Sequence, residues 1–342
     1  MNPKKTNSIR EKPFFSIIIP VYNRPEEIDE LLQSLTRQTY KNFEVIIVED
    51  GSKIKADKIV DKYRQKLEIQ YFYKENSGPG QSRNYGMEKA NGNYFIILDS
   101  DVIVPPAYVK TVADYLKHHP IDAFGGPDAA HKNFTSLQKA IDFAMTSVFT
   151  TGGIRGKAEK LEKFHPRSFN MGISREVFQK TGGFSNMRFG EDIDLSIRII
   201  KNNFKTALIK EAFVYHKRRN TIKQFFKQIY NSGLARINLY KKHPVSLKIV
   251  HFFPLIFLLG FIFSFVLYGL GLPYLLIIYI AYFILILIAS TIKYSSLKTG
   301  FLSVVTSFVM LWAYALGFTE GIWKRLLLNQ NEFNKFENNF YD

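Results

Sequence analysis

The stretch Glu75–Pro106, ENSGPGQSRNYGMEKANGNYFIILDSDVIVPP, decides how the rest of the chain is read. A Gly/Pro turn leads into a short helical pattern from about Gln81 to Ala90. An Asn91-Gly92 turn follows, and then the apolar run Tyr94 to Leu98, which stops abruptly at Asp99-Ser100-Asp101. A buried strand that delivers two carboxylates to its carboxyl end suits a hard divalent cation, whose shell is completed by substrate phosphates. Alternation lets Asp99 and Asp101 point one way and Ser100 the other. A D-x-D pair by itself is a weak signal, since acidic turns after strands are common and usually just solvated; its meaning depends on the segments around it.

Those segments alternate. Phe14 to Tyr22 is a continuous apolar run, as expected of a strand buried on both faces. Asn23-Arg24-Pro25 then opens a helix with Glu26 and Glu27 in its first turn and Ile28, Leu31, Leu32 and Leu35 at helical spacing. Phe43 to Val48 is a second strand, ending in Glu49-Asp50-Gly51-Ser52. A helix from about Lys53 to Lys66 and a strand from Glu68 to Tyr73 are expected next. The repeated strand–helix order predicts an α/β domain around a mostly parallel sheet. Ligands bind such sheets at the carboxyl ends of strands, where Asn23, Asp50, Asp99 and Asp101 all fall.

Further on, a helix is expected from Pro105-Pro106 to about His118, and an amphipathic helix from Phe134 to Phe149. Thr150 to Gly156, TTGGIRG, reads as a loop. Phe169 to Ser174 reads as a strand. Gly190-Glu191-Asp192 opens a helix with Ile193, Ile197 and Ile200 as its stripe. Ala207 to Tyr215 reads as one last strand, with His216 just past it.

The charge balance is strongly basic, 46 Lys and Arg against 30 Asp and Glu over 342 residues, which suits nucleic acid, anionic lipid or phosphorylated substrates. There is no cysteine, which excludes disulfides, thiolate metal sites and a cysteine nucleophile. Residues 1–13, MNPKKTNSIREKP, read as a disordered basic leader without the apolar core of a signal peptide. From Lys217 to Lys248 there are nine Lys/Arg and no acid, interleaved with aromatic and aliphatic residues at spacings of three and four. With apolar segments directly downstream, this reads as a basic amphipathic helix or helix pair at a membrane surface. Ile249 to Tyr268, Tyr274 to Ile292 and Phe301 to Trp323 each reach the roughly 20 residues that a bilayer needs. Three crossings within 249–325 are expected, with a tail over 326–342. The positive-inside rule places the basic segment, Lys293 and Lys298 in the cytoplasm. It disfavours exporting Lys324 and Arg325 after a third crossing; Gly317, Glu320 and Gly321 leave a shallow or broken segment as the alternative.

Taken together, PVYNRPEEI at Pro20–Ile28, VEDGS at Val48–Ser52, SGPGQSRNYG at Ser77–Gly86, DSD at Asp99–Asp101 and GED at Gly190–Asp192 resemble the family-2 glycosyltransferases, inverting sugar transferases of GT-A fold. The resemblance covers roughly 14–216. It departs where Glu49 stands in place of the usual Asp. It implies an α/β GT-A domain of Rossmann-like type, followed by a helical transmembrane region. It implies a nucleotide-diphospho-sugar donor, a UDP-sugar, bound by Pro20, Tyr22, Asn23, Asp50, Arg83, Asp99 and Ser100. Asp50 would accept from the base or ribose. Arg83 would be a cation for the phosphates or a structural partner of Asp50 or Asp99. Mn²⁺ or Mg²⁺ would be held by Asp101 with Asp99, and Asp99 has the ribose as its alternative. His216 is either a further ligand or a plain surface histidine.

Asp192 would be the general base that deprotonates the acceptor, with Glu191 as competitor or acceptor-orienting residue and Asp194 as a helix-start charge. Asn170 and Arg175 fit the same pattern or serve packing. The implied acceptor is a polyprenyl-phosphate or lipid-linked glycan, at the cytoplasmic face of a bacterial inner membrane, with no nucleic-acid partner and with an oligomer compatible. A nucleotidyltransferase would carry a Gly-rich basic loop after the first strand, where PVYNRP stands. A non-catalytic scaffold would have lost Asp101 or Asp192. A processive synthase would carry a Gln-x-x-Arg-Trp motif, yet the only tryptophans are Trp312 and Trp323.

Overall fold

The computed structural model describes residues 13–129, 134–151 and 164–330. The leader, the tail from 331 and the glycine-rich stretch from 152 lie outside the described residues. The chain divides into two compact units. Among the described residues the first holds 13–129 and 164–216, and the second holds 134–151 and 217–330.

In the first unit, β1 (Phe15–Val21), β2 (Phe43–Asp50) and β4 (Tyr94–Leu98) are buried along their whole lengths, which is why their sequences are unbroken apolar runs. With β3 (Ile69–Lys74), β6 (Ala123–Gly125), β8 (Asn170–Ser174) and β9 (Thr206–Leu208) they form a seven-stranded sheet in the order β3-β2-β1-β4-β8-β6-β9. β1 lies parallel between β2 and β4, whereas β8 runs antiparallel to β4 and β6. Pro20, which has no N–H to give, stands beyond Ile18, the last β1 residue paired with β4.

Alternate residues serve opposite faces. Ile17, Ile19, Val45 and Ile47 pack with Ile28, Leu31, Leu32 and Leu35 of α1 (Pro25–Thr36) and with Val109 and Val112 of α4 (Tyr108–His118). Ile18, Ile46, Phe95 and Ile97 pack with Met87 of α3 (Pro79–Lys89), Val177 of α7 (Arg175–Thr181), and Leu195 and Ile199 of α8 (Glu191–Lys201).

Three of the elements expected in the first unit differ from the sequence reading. The helix expected over Lys53 to Lys66 shrinks to α2 (Asp57–Asp61). Its expected start is drawn into the Gly51–Ala56 loop, where the buried Glu49 accepts from the Ala56 N–H at 2.9 Å and from Ser52 Oγ. The helix after Pro105-Pro106 begins only at Tyr108, after a turn closed by the Tyr108 N–H donating to the Pro105 carbonyl at 3.0 Å. The run Ala207 to Tyr215 is not one strand. It divides into β9 and β10 (Val214–His216), and β10 joins β5 (Val102–Ile103) and β7 (Asp128–Ala129) in a separate sheet of order β5-β10-β7.

The second unit is helical: α5 (Ser136–Thr146), α6 (Val148–Thr151), α9 (Ile222–Lys242), α10 (Phe253–Gly269), α11 (Tyr274–Tyr294) and α12 (Leu297–Gly321). α5 starts with a capping box in which Thr135 and Gln138 satisfy each other's backbone N–H. The expected domain of 14–216 included this helix; instead Ile141, Ala144 and Met145 pack with Phe225, Ile229, Met310 and Ala313. The basic segment forms the single helix α9. Ile249–Gly269, Tyr274–Tyr294 and Leu297–Leu327 are each long and apolar enough to cross a membrane.

Candidate active site

Four strand ends and two helix starts of the first unit carry the candidate residues. At the end of β1, Asn23 adopts a left-handed φ of 52°. Its side-chain oxygen accepts from the N–H groups of Lys53 and Ile54 at 2.8 and 3.0 Å, and its own N–H donates to Ser52 Oγ at 2.7 Å. Asn23 thereby pins the loop after β2 to the end of β1.

Asp50 ends β2, and its side chain is 1% exposed. Its carboxylate accepts from Lys74 Nζ at 2.6 Å and from the Ser77 and Gly78 N–H groups, both at 2.9 Å. Lys74 ends the neighbouring β3; nothing in the spacing marked it. It also reaches Ser77 Oγ and the Glu75 carbonyl. Lys74→Met leaves a buried carboxylate with two amide donors. A fully broken buried pair costs about 3–5 kcal/mol. With those donors kept, the expected loss is about 2–3 kcal/mol, read as a lowered unfolding midpoint of the purified chain and reversed by Lys74→Arg. An unchanged midpoint would refute it.

The acidic pair lies at the end of β4. Asp101 accepts from Arg24 at 2.7 Å and lies 3.1 Å from His216 Nε2. His216 arrives there because β10 pairs antiparallel with β5, register His216 with Val102, the residue after Asp101. Its ring stacks on Phe169 with centroids 5.2 Å apart. Asp99, Asp101 and His216 thus form the one group among the described residues able to hold a metal ion, each offering a ligand atom within 4.8 Å of the others. Two carboxylates and an imidazole fit a divalent cation: the carboxylates suit Mg²⁺ and Mn²⁺, and the imidazole favours the first-row metal. Ser100 between them is buried.

Arg83 joins this pair to the third element. Of its two proposed structural partners the guanidinium chooses Asp99, at 2.7 Å, and not Asp50; it also reaches Glu191 at 3.1 Å. Burial opposes its charge, but Asp99 and Glu191 more than restore it. Gly190, at φ 83°, turns the chain into α8 and sets Glu191 and Asp192 side by side. Burial raises the Glu191 carboxyl, Asp192 adds to the rise and Arg83 opposes it, leaving it at about 7. Asp192 accepts from Arg167 Nε at 2.9 Å and from the Ile193 N–H at 2.8 Å. Arg167 lies on the approach to β8 and carried no sequence signal.

Three other residues are tied into the fold. Asp194 is buried against Arg198 at 2.7 Å. Asn170 bridges Tyr108 OH and the Ala212 carbonyl, and Arg175 holds the Ala90 and Gly92 carbonyls.

Sheet order and site together define an α/β domain of GT-A type. A solved structure with the same fold is the mannosyltransferase PcManGT from Pyrobaculum calidifontis in complex with GDP-Man and Mn²⁺, with a TM-score of 0.59 at 16% identity over 92% of this chain and 89% of that one. Residues 16–182 match the family model described as glycosyl transferase family 2, and the chain carries a domain of that family. An uncharacterized glycosyltransferase of Rickettsia bellii is 29% identical over 225 residues, 66% of this chain and 32% of that protein. The minor teichoic acid biosynthesis protein GgaB of Bacillus subtilis is 29% identical over 233 residues, 61% of this chain and 24% of that protein. The chain spans about a third of the length of the first curated relatives it matches.

Proposed function

We propose that this protein is an inverting glycosyltransferase. It moves a sugar from a nucleotide-diphospho-sugar, a UDP-sugar, to a polyprenyl-phosphate or lipid-linked glycan in surface-polysaccharide synthesis. The observation that carries this reading is the convergence of Asp99, Asp101 and His216 at the carboxyl edge of a family-2 sheet, in a chain with long apolar helices. The name of GgaB supports a surface glycan as product. The loop that Asn23 pins receives the nucleoside, and Asp50, buried against Lys74 and the Ser77 and Gly78 N–H groups, braces the neighbouring turn rather than meeting the base directly. Asp99, Asp101 and His216 would hold Mn²⁺ or Mg²⁺, which when bound neutralises charge on the leaving diphosphate. Arg83 keeps Asp99 oriented and links it to the start of α8.

Asp192 accepts the proton of the acceptor hydroxyl as its oxygen bonds to the anomeric carbon, opposite the breaking bond to the diphosphate. Arg167 orients that carboxylate. The apolar helices hold the enzyme at a bacterial inner membrane, with the catalytic domain in the cytoplasm. Membranes containing the protein, incubated with a panel of labelled nucleotide sugars and then extracted for lipid, should yield one labelled lipid that depends on a UDP-sugar. Label from a GDP-sugar alone would overturn the donor assignment, and label confined to water-soluble product would overturn the acceptor.

A further inference from the structure

We propose that α12 does not cross the bilayer but lies along its interface, so that only α10 and α11 span and Leu328 stays on the side where α10 begins. Ile249–Gly269 and Tyr274–Tyr294 form an antiparallel hairpin, each about 31 Å long, a match for the hydrocarbon core. Phe257 packs on Tyr279, Tyr282 and Phe283. The start of the first span and the end of the second therefore share one face of the membrane.

α12 touches both of those outer ends. Near its beginning, Ser303 Oγ lies 2.7 Å from Ser290 Oγ, close to the end of α11. Fifteen residues later Phe318 meets Phe252, just before α10, with centroids 5.0 Å apart. Between them Phe308 sits against both Phe261 and Phe283, at 5.3 and 6.1 Å. A crossing helix would have carried Phe318 about 22 Å towards the far turn at Leu270–Pro273. Instead α12 reaches the middle of both legs only with the Phe308 side chain and ends on the side where it began.

Its opposite face is covered by α5 and α9. Thr306 Oγ1 donates to the Ala140 carbonyl at 3.0 Å, and Arg325 donates to Asn238 at 2.7 Å. Gly233 and Gly317 let α9 and α12 touch backbone to backbone; a Cβ on Gly317 would stand 2.0 Å from the Tyr230 carbonyl oxygen. Tyr230 also donates to Glu320. α9 carries Lys223, Lys227, Arg236, Lys241 and Lys242 and no acid, so it belongs to the headgroup side rather than to hydrocarbon. Half of the apolar stretch of Leu297–Leu327 is buried, against 6% and 11% in the other two spans.

Of the exposed large residues on α12 and its extension, Leu297, Phe301, Val305, Trp312, Leu316, Trp323 and Leu327 recur at steps of four and seven and form one stripe that also contains Phe308; only Leu326 falls beside it. That stripe faces the acyl boundary beside the hairpin, where tryptophan is favoured. Lys324 and Arg325 then stay with Lys293 and Lys298, and the conflict with the positive-inside rule disappears.

Trp312 and Trp323, the only tryptophans, both sit on the stripe, about 16 Å apart along the helix. The full chain is reconstituted in phosphatidylcholine–phosphatidylglycerol vesicles brominated at shallow or deep acyl positions, with Trp312→Phe and Trp323→Phe isolating each indole. Both indoles should be quenched best by the shallow label, at depths within about 5 Å of each other. A depth difference near 16 Å would overturn the proposal. Because the chain lacks cysteine, Leu270→Cys and Leu328→Cys give an independent reading with an impermeant maleimide on intact cells. Leu270→Cys should label at once and Leu328→Cys only after permeabilisation. Labelling of Leu328→Cys in intact cells, or of neither variant, would equally overturn it. Neither readout requires sugar transfer, so failure here is separable from failure of the proposed activity.

Discussion

Asp101→Ala is expected to lower sugar transfer by about a thousand-fold, because charge stabilisation by a bound metal is worth several kcal/mol and each 1.4 kcal/mol is a factor of ten. Asp101 is the hub of its end of the site: Arg24 holds one carboxylate oxygen and His216 approaches the other. The substitution therefore removes a metal ligand and also frees Arg24 and His216 to drift. Donor-dependent Mn²⁺ binding, followed by paramagnetic resonance with nucleoside diphosphate present, should vanish with it. His216→Gln should weaken Mn²⁺ binding less than Asp101→Ala, since the two carboxylates remain. Full turnover of the wild-type chain in excess EDTA would refute the metal assignment altogether.

The second large effect is expected at Asp192. Asp192→Asn keeps the shape of the side chain and its contact with the Ile193 N–H, but it cannot take a proton. Turnover should fall by about 10²–10⁴-fold, the range for a lost general base, with donor affinity little changed. Arg167→Gln should give a smaller loss of the same kind, because it removes only the group that orients the carboxylate. Glu191 tests the alternative. Its carboxyl is committed to Arg83 and through it to Asp99, so Glu191→Gln should disturb metal and donor binding as well as turnover. An inactive Glu191→Gln beside an active Asp192→Asn would exchange the two assignments.

Much of the site is legible in the sequence, for a specific reason. Strands buried on both faces are continuous apolar runs, so their carboxyl ends appear in sequence as sudden changes from apolar to acidic. Asp50, Asp99 and Asp101 are all found this way. Gly190 and the acids that follow it mark a helix start by the same local logic. What local logic cannot supply is a partner from a distant element. Lys74 is an ordinary strand-end lysine until β3 is laid beside β2. Arg167 is an ordinary arginine until its segment comes up against α8. Arg83 offered two partners in sequence, and only the folded sheet places Asp99 and not Asp50 within its reach.

Composition and periodicity by themselves determined the α/β class, the basic helix and the three apolar segments, because burial and membrane insertion each leave a pattern within one element. Tertiary structure alone decided His216, since what makes it a candidate ligand is the antiparallel pairing of β10 with β5 next to Asp101, more than a hundred residues earlier in the chain. It also moved α5 out of the catalytic unit, through apolar contacts with α9 and α12. The same holds for the third apolar segment: its length is a property of the sequence, but its direction is set by which ends of α10 and α11 it touches. An apolar helix satisfies its own backbone hydrogen bonds whether it crosses the bilayer or lies along it, so only packing distinguishes the two.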